Sequence, residues 1–308
     1  MGSALTTIGL PVALGIIMFG LGLSLTPGDF ARVAKHPKAV IVALLCQLVV
    51  LPAVCLALVL LFRLPPVLAV GMMLLAASPG GTTANLYSHL FRGDVALNIS
   101  LTAINSVLAV VTLPLITNLA IGYFLPGDDT LGLQPAKTVE VFVIVLLPVV
   151  AGMLVRWARP GFADRMDKPV RIASVVILVV VIAGAIVSNL GLLLEHAGSL
   201  AGITVLFCLL SLSVGYVVPR MVRVGPAQSI ASSFEIGIHN ATLAIVIAQT
   251  VIGSVEMSLP AAVYGVLMFF VALGFGFLIR GRGTAPDRAD AATAAVPATR
   301  SGGRAPGD

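Results

Sequence analysis

Apolar runs of twenty or more residues, separated by short polar stretches, recur from one end of the chain to the other. A helix needs about 20 mostly apolar residues to cross the hydrocarbon of a bilayer. Nine runs reach that length: roughly 5–25, 38–61, 67–91, 94–122, 137–158, 168–188, 198–219, 226–253 and 259–280. They predict an all-α polytopic membrane protein of about nine transmembrane helices, forming a single transmembrane domain over residues 1–280. The stretch from Gly281 to Asp308, rich in Gly, Ala, Pro and Arg, reads as a disordered tail.

Polar positions inside the runs carry the information about chemistry. In the third run, Ala77-Ser78-Pro79-Gly80-Gly81-Thr82-Thr83-Ala84-Asn85 puts a proline and two glycines at mid-depth. Pro79 removes a backbone donor, and the glycines lower the cost of leaving helical dihedrals. The eighth run contains Ser232-Ser233-Phe234-Glu235-Ile236-Gly237-Ile238-His239-Asn240-Ala241-Thr242, with a second expected break near Gly237. Glu235 is the one carboxylate deep inside an apolar run, and a charge at that depth costs at least a few kcal/mol unless something offsets it. The plainer alternatives are a pair of simple kinks and a glutamate hydrogen-bonded between helices.

Composition agrees with the pattern: 58% of the 308 residues are hydrophobic, 10% are charged and the mean hydropathy is +1.09, which excludes a water-soluble domain. The net charge of +5 does not point to nucleic acid, because the basic residues sit in short loops and no basic patch is interleaved with aromatics. All Lys and Arg except Arg63 and Lys137 fall on one side of the nine predicted spans. Loops rich in Lys and Arg stay cytoplasmic, so the expected placement is a cell (inner) membrane with the N-terminus outside and the C-terminus inside. Tyr123 and Trp157 lie near span ends, where interfacial aromatics belong. Cys46, Cys55 and Cys208 lack metal-ligand spacing and read as small buried hydrophobes, so no transition metal is expected. The first run reads as a retained helix rather than a signal peptide, and the sequons at Asn98 and Asn240 lie where no glycan fits.

The two interruptions are paired, one in each half of the chain, each with an Asn and hydroxyl residues. Interrupted spans in corresponding positions point to a transporter binding site, and opposite entry directions for spans 3 and 8 make the halves inverted repeats. Half-helix N-termini suit anions, while unwound carbonyls and half-helix C-termini suit cations.

These residues resemble the bile acid:sodium symporter family from about Leu14 to Leu278. The likeness is densest in Gly15-Ile16-Ile17-Met18-Phe19-Gly20-Leu21-Gly22-Leu23, in Thr26-Pro27-Gly28-Asp29-Phe30, in Pro79-Gly80-Gly81-Thr82 with Asn85, in Arg92-Gly93-Asp94-Val95-Ala96-Leu97, and in Glu235-Ile236-Gly237 with Asn240. The resemblance implies inverted repeats with two crossing discontinuous helices, a core domain and a panel domain, here in a nine-helix form. Spans 1, 5 and 6 would be panel and the others core.

For a first sodium site the resemblance implies Asn85, Thr102 and Glu235, with Asn98 where a serine is usual and Ala84 where a hydroxyl residue is usual. For a second it implies Gln47, Glu235 and the carbonyls of Ile236 and Ile238, with His239 where a glutamine is usual. Imidazole nitrogen suits transition metals better than a hard alkali cation, which puts the second site in doubt. His239 reads as a proton site, a substrate donor, or a core histidine bonded to a nearby carbonyl. An ion pair between His239 and Glu235 is a further expectation of the proton reading.

The function implied is sodium-driven symport of an organic anion by alternating access, with Thr82, Thr83 and Asn240 as substrate contacts at half-helix N-termini. Na+ is the co-transported ion, and the bilayer and a small organic anion are the partners, with no protein partner inferred. Alternatives are a proton-coupled carrier, and a cation-independent anion channel or sensor on the same scaffold. An enzyme is not expected, since no second catalytic acid accompanies Glu235. Leu267-Met268-Phe269-Phe270 stands where the family often has polar residues, and so the substrate stays undefined.

Overall fold

The computed structural model of the chain describes residues 10–26, 28, 35–126, 135–188, 190–195 and 197–280. The expected tail from 281 onward and positions 5–9 of the first run lie outside the described residues, as do Pro27, Asp29 and Phe30. Among the described residues every regular element is a helix: α1 (Leu10–Ser24), α2 (Pro37–Phe62), α3 (Pro66–Ala77), α4 (Thr83–Leu90), α5 (Val95–Phe124) and α6 (Pro135–Ala158). The second half continues with α7 (Pro160–Ser188), α8 (Leu190–Glu195), α9 (Ala197–Met221), α10 (Pro226–Gly237), α11 (Ala241–Ile252) and α12 (Leu259–Ile279). Four stretches, Pro37–Phe62, Val95–Phe124, Gly198–Met221 and Glu256–Ile279, are long and apolar enough to cross a membrane.

Prolines open many of these helices, at Pro37, Pro66, Pro226 and Pro260, where the missing amide proton would have no intrahelical partner and the fixed φ favours the first turn. Arg63 and Arg223 close α2 and α9 in the left-handed conformation, at φ 49° and 63°. The same pattern follows each of them. Arg63 N bonds Leu60 O and Leu64 N bonds Val59 O, while Arg223 N bonds Arg220 O and Val224 N bonds Pro219 O. Each is then followed within a few residues by the proline that starts a shorter helix, α3 or α10.

Those shorter helices mark the places where the sequence expected interruptions. The third run divides into α3 and α4 around Ser78–Thr82, and the eighth into α10 and α11 around Ile238–Asn240. The sixth run extends further toward the N-terminus than expected, because Pro160 starts a helix that carries Asp164, Arg165 and Lys168 ahead of the apolar stretch.

Helix α1 packs against α6 and α7, while α3 packs against α5 and α9 packs against α10 and α12. At the α1–α6 contact a Cβ on Gly22 or Gly152 would strike backbone of the other helix, so glycine at both positions sets the approach. Leu61, Leu119, Val187, Phe270 and Leu278 are each more than 60% exposed, an apolar exterior suited to lipid rather than water. Tyr123 and Trp157 are exposed near the ends of α5 and α6, as interfacial anchors would be.

Candidate functional site

The two interruptions meet. Gly80 and His239 form an isolated antiparallel bridge, Gly81 N donates to Ile238 O at 2.7 Å, and Asn240 N donates to Pro79 O at 2.8 Å. Each break therefore supplies backbone partners that the other lost on leaving the helix, which is what a buried non-helical segment in lipid requires. The Asn240 amide would otherwise continue α10 onto the Ile236 carbonyl; it goes to the opposite break instead.

Glu235 lies in the last turn of α10, completely buried. Thr102 Oγ1 donates to its Oε2 at 2.5 Å and Asn105 Nδ2 to its Oε1 at 3.1 Å, both from α5. Gly80 brings its backbone against the same carboxylate, and a Cβ at that position would overlap the carboxylate atoms. Phe234, next in the chain, packs among Tyr87 and Phe91 and fixes the depth of this turn.

Asn98 lies one turn before Thr102 on α5, and its Nδ2 donates to Ala231 O at 2.7 Å on α10. Its carbonyl oxygen Oδ1 is buried without a partner, and so are Asn85 Oδ1 and Asn105 Oδ1. The structure thus places Thr102 on the Glu235 carboxylate and Asn98 one turn away, bonded to α10 at Ala231. Asn85 stands in the first turn of α4, partly buried, and no bond ties it to Glu235. Buried, unpaired amide oxygens and a carboxylate are donors chemically suited to a hard cation and poorly suited to a soft one.

Gln47 and His239 converge on a different atom, the Ser78 carbonyl at the C-terminal end of α3. Gln47 Nε2 donates to it at 3.1 Å and His239 Nδ1 lies 3.2 Å from it, leaving Gln47 Oε1 and His239 Nε2 buried without partners. Gln47 occupies a π-helical turn, Cys46–Val50, just ahead of Pro52, whose missing amide proton that wider turn accommodates. The expected His239–Glu235 ion pair is not formed. The ring is held instead by Ser78 O, stacks on Phe207 at 5.4 Å and meets the Tyr264 ring edge-on at 5.5 Å. A carbonyl can only accept, so Nδ1 carries the proton in this contact, and Nε2 is left buried without a partner.

The Ile238 carbonyl is engaged by Gly81 N, and the Gly237 carbonyl by the Tyr264 hydroxyl at 2.9 Å. Thr82 and Thr83 flank the start of α4, and Asn240 caps α11 by accepting from Leu243 N at 3.0 Å. These three contact candidates thus stand at the N-termini of the two second half-helices, and Thr82 is exposed. Sequence reading missed Asn105, Ser78 and Tyr264. Asn105 was findable, since 98, 102 and 105 form one stripe at helical spacing; nothing in the sequence singles out the Ser78 carbonyl or the Tyr264 hydroxyl.

Apolar helices around two mutually bridged interruptions and one buried carboxylate define a polytopic membrane protein with a polar centre. The sodium bile acid symporter family matches residues 11–196, which include Gln47, Asn85, Asn98 and Thr102, and the chain belongs to that family. A probable chloroplastic sodium/metabolite cotransporter of Arabidopsis thaliana, BASS1, is 32% identical over 83% of this chain and 62% of its own length. The uncharacterized sodium-dependent transporter YocS of Bacillus subtilis is 28% identical over 83% of this chain and 78% of its own. Human sodium/bile acid cotransporter 4 is 39% identical over a shorter stretch, 33% of this chain and 24% of that protein. The chain therefore spans less than two thirds of the Arabidopsis relative's length.

Proposed function

We propose that the chain is a secondary active transporter that carries a small organic anion into the cell in symport with Na+. The observation that carries the reading is Glu235, a fully buried carboxylate accompanied by buried amide oxygens that have no donor. An uncompensated charge at that depth is costly, and a bound sodium offsets it while giving the orphaned oxygens a partner. The names of the Arabidopsis, Bacillus and human relatives support sodium as the ion. Asn85, Asn98, Thr102 and Glu235 form the first sodium site in this reading.

The second position, around Gln47, Ile236, Ile238 and His239, is weakened. His239 offers a nitrogen where an oxygen would serve sodium, and the Ile238 carbonyl already accepts from Gly81. The engagement of His239 by the Ser78 carbonyl rather than by Glu235 favours sodium over proton coupling.

Thr82, Thr83 and Asn240 contact the anion at the two half-helix N-termini, where exposed amide dipoles favour negative charge. The matching caps at Arg63 and Arg223, each leading into a broken pair of helices, support inverted repeats. Helices α1, α6 and α7, which pack together, form the panel, with nine spans in all, the N-terminus outside and the C-terminus in the cytoplasm. Glu235 is fully buried in the described state, so ion release by this reading needs the two groups of helices to rock, which is alternating access.

Proteoliposomes offered a panel of organic anions in the external medium test this. An inward sodium gradient drives uptake of one of them, and Glu235→Gln, which keeps the shape and removes the charge, abolishes the coupling. Wild-type sodium dependence in that variant, or uptake indifferent to any cation gradient, contradicts the reading.

A further inference from the structure

Helix α5 carries three polar side chains on one stripe, Asn98, Thr102 and Asn105, spaced so that each stands a turn beyond the last. Thr102 and Asn105 reach different oxygens of Glu235, Oε2 and Oε1, so the carboxylate is held from both ends by one rigid helix. An ionised carboxylate only accepts, which fixes the Asn105 amide with its nitrogen toward Glu235. Its oxygen is then left buried and without a donor, in a side chain that is 2% exposed.

Asn98 is in the same condition: its nitrogen is committed to Ala231 O and its oxygen has no partner. Three other polar residues of α5 avoid this, whereas the Thr117 hydroxyl is also buried without a partner. Ser100, Ser106 and Thr112 each satisfy their hydroxyl on the carbonyl four residues back, and none needs a further ligand. A residue required only to hold Glu235 could do so as Thr102 does, with a hydroxyl. An asparagine adds a hard carbonyl oxygen that stays unpaired in a low-dielectric interior, which is unfavourable unless a cation completes it.

We propose that Asn105 is a member of the cation site, holding Glu235 through its nitrogen and contributing its side-chain oxygen to the ion. The proposal rests on the reading of Glu235 as the cation's carboxylate. It extends the donor set along α5 from Asn98 through Thr102 to Asn105, and gives the site a neutral oxygen beside each end of the stripe.

Two variants separate the oxygen from the nitrogen. Asn105→Leu keeps the branched shape, with a larger volume, and removes both, whereas Asn105→Asp keeps an oxygen and removes the donor while adding charge. With purified protein in detergent, sodium-dependent thermal shift and radiosodium binding are read for each beside Glu235→Gln. Asn105→Leu should raise the sodium concentration for half-saturation about tenfold, and should also lower the melting temperature in potassium because Glu235 Oε1 loses a donor. Asn105→Asp should still bind sodium and should gain stabilisation by Ca2+, since two carboxylates and neutral oxygens suit a divalent ion. If Asn105→Leu leaves half-saturation within about twofold of wild type, the oxygen is not a ligand. Loss of sodium binding in Asn105→Asp would show that only the amide nitrogen matters, and would overturn the proposal even if Asn105→Leu fails to fold. Sodium binding retained by Glu235→Gln would instead mean that the cation-site reading itself is wrong.

Discussion

The break between α3 and α4 is made by its own residues, whereas the break between α10 and α11 is made by its neighbour. Pro79-Gly80-Gly81 lacks one amide proton and has two positions with little helical preference, so the first break would exist in isolation. Ile238-His239-Asn240 contains neither proline nor glycine. It stays unwound because Pro79 O takes the Asn240 amide, Gly81 supplies a donor to Ile238 O, and the Asn240 side chain caps the next helix. The chemistry is divided as unevenly as the cause. The first break contributes carbonyls and no charge, while the second carries Glu235 and His239. One half thus shapes the crossing and the other fills it.

The sharpest way to break this division is to change the first half and look for the damage in the second. Gly80→Ala puts a methyl group on the Glu235 carboxylate, and overpacking of that kind costs about 1–3 kcal/mol. It should lower the melting temperature and weaken sodium binding together. At Gly81 the added Cβ would sit 3.4 Å from His239 O, close but tolerable, so Gly81→Ala should cost less than about 1 kcal/mol. Equal effects at the two glycines would show that backbone freedom, not proximity to Glu235, is what the first break provides.

The caps give a smaller contrast. Asn240 makes a side-chain cap and Thr82 does not, so Asn240→Ala should destabilise by about 1 kcal/mol and Thr82→Ala by a few tenths, read as chemical or thermal unfolding in detergent. Both should weaken the anion, because both lie at half-helix N-termini. A Thr82→Ala variant with unchanged uptake would move the anion contact to the second break alone.

His239 gives a contrast about as large as the Asn240 cap. Replacing it by glutamine removes a ring stacked on Phe207, worth about 0.5–1.5 kcal/mol, and restores an oxygen donor. Uptake by the wild type should vary little between about pH 6 and 8, the range around an ordinary histidine pKa. His239→Gln should make the dependence on sodium concentration steeper. A pH gradient that drives uptake in sodium-free medium would restore the proton reading.

This unevenness also explains how much of the structure could be read from residues alone. The first break is written in Pro79, Gly80 and Gly81, and its position was legible. The second was located through Glu235 and Asn240, while its cause, a pairing with Pro79 and Gly81, is a contact between distant segments that no local pattern encodes. Thr102 and Asn98 were visible as a pair on one helical face; Asn105 continues the same stripe but was not reached by the resemblance. Of the readings open for His239, the ring bonded to a nearby carbonyl is the one found, and the Glu235 pair of the proton reading is absent because the Ser78 carbonyl, freed at the end of α3, is the partner the ring finds. Free backbone acceptors at a helix end are invisible until the fold is known.

If Glu235 holds a sodium ion where the two breaks meet, equilibrium radiosodium binding to the purified protein reads it without any transport step. The wild type should bind sodium saturably and without displacement by excess potassium, and Glu235→Gln, still folded by its melting curve, should lose that binding by about 100-fold or more. Equal binding by the two proteins would contradict the account.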